Sequence, residues 1–158
     1  MTRWLDDHEQ RAWRGYLAMH AQLMARLSRQ LQADSGLSLS DFEVLVQLTD
    51  RPEPRIRVGH LAAALQWEKS RLSHHLARME KRGLISREGC PEDARGAFVT
   101  LTDHGREVIE QAAPGHVDAV RALVFDHLDP DHVTALASIA ERVLDRLEAT
   151  APNTGHDK

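Results

Sequence analysis

Cysteine is almost missing from this chain: Cys90 is the one thiol in 158 residues. A single thiol can close no intrachain disulfide and cannot furnish a cysteine-rich zinc site, so packing has to hold the fold. Aromatic residues are also scarce, at 4%, while alanine, leucine and arginine are plentiful, a balance that favours helices. No apolar run approaches the roughly 18–20 residues of a membrane span. The N-terminal stretch MTRWLDDHEQRAWRGY carries charge where a secretory signal would need an apolar core, and a cytoplasmic protein is expected. Absent too are a nucleophile elbow, a glycine-rich phosphate loop, a His-Glu-x-x-His helix and carboxylates paired on a rigid frame. An enzyme is therefore not expected, and no cofactor is implied.

The formal net charge is −4, which averages over two unlike parts. Residues 51–95 hold ten Lys/Arg against six Asp/Glu, and the remainder holds ten against eighteen. A basic segment on an acidic frame can still attract phosphate, because charge interactions are local and screened beyond about 10 Å.

Along the chain, residues 8–32 place Trp13, Tyr16/Leu17, Met19/His20, Leu23/Met24, Leu27 and Leu31 at alternating threes and fours, one stripe of a long helix. Asp34-Ser35-Gly36 breaks it, with Gly36 suited to a left-handed residue beyond the helix end. Ser40-Asp41-Phe42-Glu43 reads as a capping box in which Ser40 and Glu43 satisfy each other's amides, opening a helix to about Asp50. Pro52 and Pro54 end it, and Arg55-Ile56-Arg57 follows as a short strand.

Val58–Leu65 and Lys69–Arg82 read as two helices joined by Gln66-Trp67-Glu68, with Gly83 available as the second helix's cap. The second helix has Leu72, Leu76 and Met79 on its inner face, and Ser70, Arg71, Ser73, His74, His75 and Arg78 on its outer face. Residues 84–88 and 97–101 alternate as strands do, and 89–96 reads as a projecting loop too long for a tight hairpin. Thr102 can cap the next helix, which Pro114-Gly115 should kink or interrupt before it resumes to Leu128. Asp129-Pro130 restarts a last helix with Val133, Leu136, Ile139, Val143 and Leu147 on one stripe, and residues 151–158 form a polar tail.

A major groove roughly 12 Å wide admits one helix, which must bury one stripe and offer short or cationic side chains on the other. Residues 69–82 meet both conditions. Ser70 and Ser73 permit close approach, while Arg71, His74, His75 and Arg78 reach phosphates or base edges. In the loop, Asp93 can orient Arg95, whose guanidinium suits a narrow, electronegative minor groove. An Arg/His-decorated helix can also be a plain solvated surface, and Asp93–Arg95 a plain surface ion pair. The helix, the turn, the second helix and the loop together favour double-stranded DNA.

The combined pattern resembles the MarR family of winged helix-turn-helix transcriptional regulators. The resemblance rests on Leu39-Ser40-Asp41-Phe42-Glu43-Val44-Leu45, Leu61-Ala62-Ala63-Ala64-Leu65, the run from Leu76 to Arg87, and the run from Asp93 to Gly105 that ends Leu101-Thr102-Asp103-His104-Gly105. It implies a mostly α fold with a small β-hairpin wing, set on an α-helical dimerisation platform. Residues 1–36 and 114–150 would form the platform, and 37–113 the DNA-binding domain. It further implies a homodimer on a pseudo-palindromic operator, usually a repressor, here of its own or a neighbouring gene, released by a small ligand or an oxidant. Carried over, Ser70, Arg71, Ser73, His74, His75 and Arg78 face the major groove, with Arg87, Asp93 and Arg95 on the wing (87–97). The dimer has a physical basis as well, since the stripes on residues 8–32 and 117–147 exceed what a small winged domain can cover. Two-fold symmetry would space the recognition helices by about 34 Å.

Family members often take an aromatic or phenolic ligand between platform and winged domain, and Trp13, Tyr16, His20 and Phe42 are the candidate lining, although ordinary core residues are the favoured reading of them. Cys90 has Arg87 nearby but Glu88, Glu92 and Asp93 against it, which weakens a redox role. The ten histidines show no i, i+4 pair on one helix, which weakens a metal-responsive variant. The rival reading is a helical dimer whose basic helix holds an acidic partner.

Overall fold

The structure, a computed structural model, describes residues 1–90 and 93–151, and for residues 90 and 93–96 it describes the backbone alone. Among these are helices α1 (Asp7–Ser35), α2 (Leu39–Thr49), α3 (Val58–Leu65), α4 (Lys69–Lys81), α5 (Asp103–Leu123) and α6 (Pro130–Thr150), with a 3-10 turn at Phe125–His127. Strands β1 (Arg55–Arg57), β2 (Ile85–Cys90) and β3 (Asp93–Leu101) form an antiparallel sheet in the order β1-β3-β2. The fold is mostly helical, as expected. Met1–Ala119 and Val120–Lys158 are separate compact units.

Helix boundaries follow local chemistry. α1 opens on a reciprocal box, the Glu9 amide donating to Asp6 and the Asp6 amide to Glu9, and it stops at Gly36, whose φ of 69° is left-handed. The capping residue of α2 is Ser38, not the expected Ser40. The Asp41 amide donates to Ser38 Oγ at 3.0 Å and the Ser38 amide returns to Asp41 Oδ2 at 2.9 Å. Both frames fit the Ser-x-x-acid pattern; the earlier one wins because it turns Asp41 inward onto partners described below.

The hairpin also departs from expectation. Pairing continues past Glu88↔Phe98 to Cys90↔Asp93, so much of the expected loop is strand. Beyond Glu88 no alternation between core and solvent marks the strand in the sequence. Pro114 likewise lies inside an unbroken α5. It deprives the Glu110 carbonyl of its donor, but Glu110 is exposed, so water can replace the bond.

In the first unit, Leu31, Leu37, Val44, Leu45 and Leu48 pack with Ile56, Leu61, Leu72, Leu76, Met79, Ile85 and Val99 in one apolar core. In the second, α6 buries none of its residues, and Ile139, Val143, Leu144 and Leu147 are each more than half exposed. On α1, Trp13 and Tyr16 are similarly half exposed. Among the described residues no helix is long and apolar enough to cross a membrane.

Candidate nucleic-acid interface

α3 and α4 are joined by a short turn that depends on Gln66. It adopts φ 56°, the one positive φ outside glycine among the described residues. Its amide donates to the Ala63 carbonyl and that of Trp67 to Ala62. The turn aims α4 so that Leu72, Leu76 and Met79 are fully buried, while Ser70, Arg71, Ser73, His74 and Arg78 are turned outward. Trp67 supports the outward side, since the Arg71 guanidinium lies 4.2 Å from its ring centroid. Such stacking restricts Arg71 and leaves its N–H edges free to donate. A hollow of about 500 Å³ at the turn is lined by residues including Gly59, Trp67, Lys69 and Ser70.

His75 is a correction to the expected outward face. It is 8% exposed and lies against α2. Arg78 Nη2 is 3.1 Å from His75 Nδ1; because arginine can only donate, Nδ1 is the acceptor and the ring proton sits on Nε2. Nε2 lies 2.9 Å from Asp41 Oδ1, with its N–H turned away from the oxygen, so the contact is more electrostatic than directional. The other carboxylate oxygen accepts from Arg82 Nη1 at 2.7 Å, and Arg82 Nη2 reaches the Gly36 carbonyl at 3.2 Å. Burial alone would raise the Asp41 carboxyl. The close His75 contact, the bonds from Arg82 and the Ser38 amide, and the Arg82 charge outweigh it and hold the group well below the usual carboxylate range. The start of α2 and one side of α4 thus meet on one carboxylate, and Arg82 extends the link to the end of α1.

Arg87 is tied back to α4: its Nη2 and Nε donate to Glu80 Oε1 at 3.1 and 3.3 Å and its amide to Glu80 Oε2 at 2.9 Å. It braces β2 against α4. The same end of α4 is clasped to α5: Thr102 Oγ1 donates to the Gly83 carbonyl at 2.6 Å and accepts from the Gly105 amide at 2.9 Å. Gly83 itself takes φ 74°. The side chains of Asp93 and Arg95, and Cys90 with them, lie outside the described residues. No sequence pattern marks Asp41, Glu80 or Arg82 as supports, because their partners come from other elements.

The aromatic candidates do not gather around one cavity. Trp13, Tyr16 and His20 form a stacked row along α1, with centroids 5.7 and 6.1 Å apart. A hollow of about 270 Å³ beside Trp13 is lined by Trp4, Leu5, Gln10 and Arg14. Phe42 is a core residue, packed 4.4 Å from the His116 ring of α5, and burial pushes the His116 imidazole below its usual value. Among the described residues no group of three or more His, Cys, Asp or Glu is placed to hold a metal ion.

Two helices at a tight turn, a polar outward face on the second and a paired hairpin directly after it define a winged helix-turn-helix. Comparison with known proteins gives the lineage. The family model described as MarR family matches residues 35–96. The chain is 43% identical to Sco3205 of Streptomyces coelicolor, a MarR family transcriptional regulator solved in complex with DNA, covering 99% of this chain and 97% of that one with a TM-score of 0.89. It is 41% identical to AbsC, a MarR family regulator from the same organism, over 94% of this chain and all of that one, with a TM-score of 0.87. The transcriptional repressor YetL of Bacillus subtilis is 29% identical over 114 residues, 70% of this chain and 68% of its own. This chain belongs to the MarR family, and is a transcriptional regulator of that type.

Proposed function

We propose that the protein is a homodimeric, sequence-specific repressor that binds a pseudo-palindromic operator in double-stranded DNA. The observation that carries this reading is the division of α4 into a fully buried apolar stripe and an outward face of Ser70, Arg71, Ser73, His74 and Arg78 without an acid among them. That face enters the major groove, where arginine paired with guanine is the commonest specific contact. The wing carries Arg95 into the minor groove with Asp93 as its orienting partner. His75 and Arg87 serve behind the interface, the first steadying Arg78 and the second tying wing to helix. The DNA complex of Sco3205, at 43% identity, supports the choice of ligand.

The dimer is supported by the apolar stripes of α1 and α6, since exposed leucine, isoleucine and valine at helical spacing call for a covering surface. Residues 1–36 and 114–150 pair two copies, 37–113 read DNA and 151–158 remain a tail. A small aromatic ligand acting near Phe42 and His116 would release the operator by altering how the α1–α2 junction holds α4.

Mobility-shift titration tests the reading. The wild-type chain should bind a selected duplex with an affinity that falls steeply with salt, and Arg71→Ala and Arg95→Ala should each cost about 1–3 kcal/mol and relax sequence preference. Full affinity and selectivity in both variants would sink it.

A further inference from the structure

We propose that Arg55 and Arg57, gathered on the ring of Phe98, form a further phosphate-binding site for duplex DNA at the base of the wing, separate from α4 and the wing tip. It rests on the DNA-binding reading above and adds two residues that no sequence pattern marks.

β1 is three residues long, and its middle residue, Ile56, is buried in the core, so Arg55 and Arg57 share the outward face of the sheet. Arg57 is paired directly with Phe98 on β3, and Arg55 with Thr100 two residues on. The ring centroid lies 3.8 Å from the Arg55 guanidinium carbon and 4.9 Å from that of Arg57. Two like charges are therefore held within a Debye length of each other by one aromatic ring. Glu88, across the strand pair, offsets one of them, its Oε2 lying 3.6 Å from Arg55. Arg57 has no acidic partner within salt-bridge distance among the described residues. The pair thus keeps a positive excess on a restrained support, with N–H edges still available, and an anion bridging the two guanidiniums would relieve their repulsion.

Position selects the anion. Arg57 immediately precedes α3, the first helix of the helix-turn-helix pair. Phe98 lies three residues from Arg95 along β3, about 10 Å of strand. Guanidiniums there reach the sugar-phosphate backbone that borders the groove entered by the wing. An acidic protein segment would need an extended surface of similar charge, whereas Glu88 interrupts this one. The site is backbone-reading and carries no sequence preference.

The test measures the affinity of the full-length protein for one fluorescent duplex, selected by the wild type from a random-sequence library, across a series of KCl concentrations. Removing one phosphate-binding cation makes the slope of log K against log salt shallower by about 0.9. Because the two share one phosphate, Arg57→Ala and Arg55→Ala should each make it shallower by up to that amount per bound protomer, weaken selected and unselected duplexes alike, and leave the melting curve nearly unchanged, while Arg57→Lys keeps the slope. A wild-type slope in both folded alanine variants would overturn the site and leave an ornament of the sheet, or a contact for an acidic protein, in its place. Failure of the DNA-binding reading is separately visible, because the wild type itself would then show no salt-dependent duplex binding.

Discussion

Gly105→Ala should destabilise the first unit by about 3 kcal/mol, which for a chain of this size lowers Tm by roughly 10 °C. A β-carbon at this position would overlap the backbone carbonyl of Leu84 and press on Leu101 Cδ1. The carbonyl cannot rotate away like a side chain. It belongs to the segment that ends α4 and begins β2, and it accepts from the Thr102 amide at 3.3 Å. The Gly105 amide meanwhile donates to Thr102 Oγ1, so a shift of α5 would break the clasp on Gly83. Urea denaturation of the variant measures the change, and one under about 0.5 kcal/mol would show that the junction is looser than this close approach requires. Under the proposed function, operator affinity should fall with stability, since the same junction fixes the end of α4.

The second large effect is expected at Asp41. In Asp41→Asn one carboxylate oxygen becomes an NH2 group facing donors, so the amide cannot satisfy Ser38, His75 and Arg82 together. Removing one member of a buried, hydrogen-bonded charge cluster costs about 3–5 kcal/mol. Arg82 is partly exposed and can turn to water, which brings the expected destabilisation to about 2–3 kcal/mol. The pH dependence has a definite sign. The folded carboxyl is depressed, so its contribution is fully present above the unfolded value of about 4 and fades as pH falls toward the lower folded value. The gap between wild type and variant should be undiminished at pH 5 and should close only in stronger acid. A gap that closed between pH 7 and 5 would contradict the assignment. Because the cluster holds α4 against α2, duplex affinity in the folded variant should drop as well.

These two sites show what a sequence can and cannot display. The stripe of α4 is legible because burial imposes a period on one chain segment, and Asp129-Pro130 and Gly36 because capping is local. Glycine, threonine and leucine at 101–105 are recognisable as a family pattern, yet the reason Gly105 must be glycine lies with Leu84, twenty-one residues earlier. Asp41 reads as the interior of a capping box two residues out of frame, since its true partners, His75 and Arg82, come from another helix or its end. His75 reads as a groove-facing neighbour of His74 for the same reason: spacing places it at the border between faces, and only the buried carboxylate decides which side it takes. Arg55 and Arg57 gain meaning only from the strand register that sets Phe98 beside them.

The proposed homodimer, reading one symmetric site through two α4 helices, should leave a signature in the sequence it chooses. Selecting duplexes from a random-sequence library with the full-length protein, then weighing the complex by native mass spectrometry, tests this most directly. An inverted repeat with half-site centres about 10 base pairs apart, bound by two protomers, is the predicted result. Enrichment of an asymmetric site occupied by one protomer, or no enrichment at all, would contradict it.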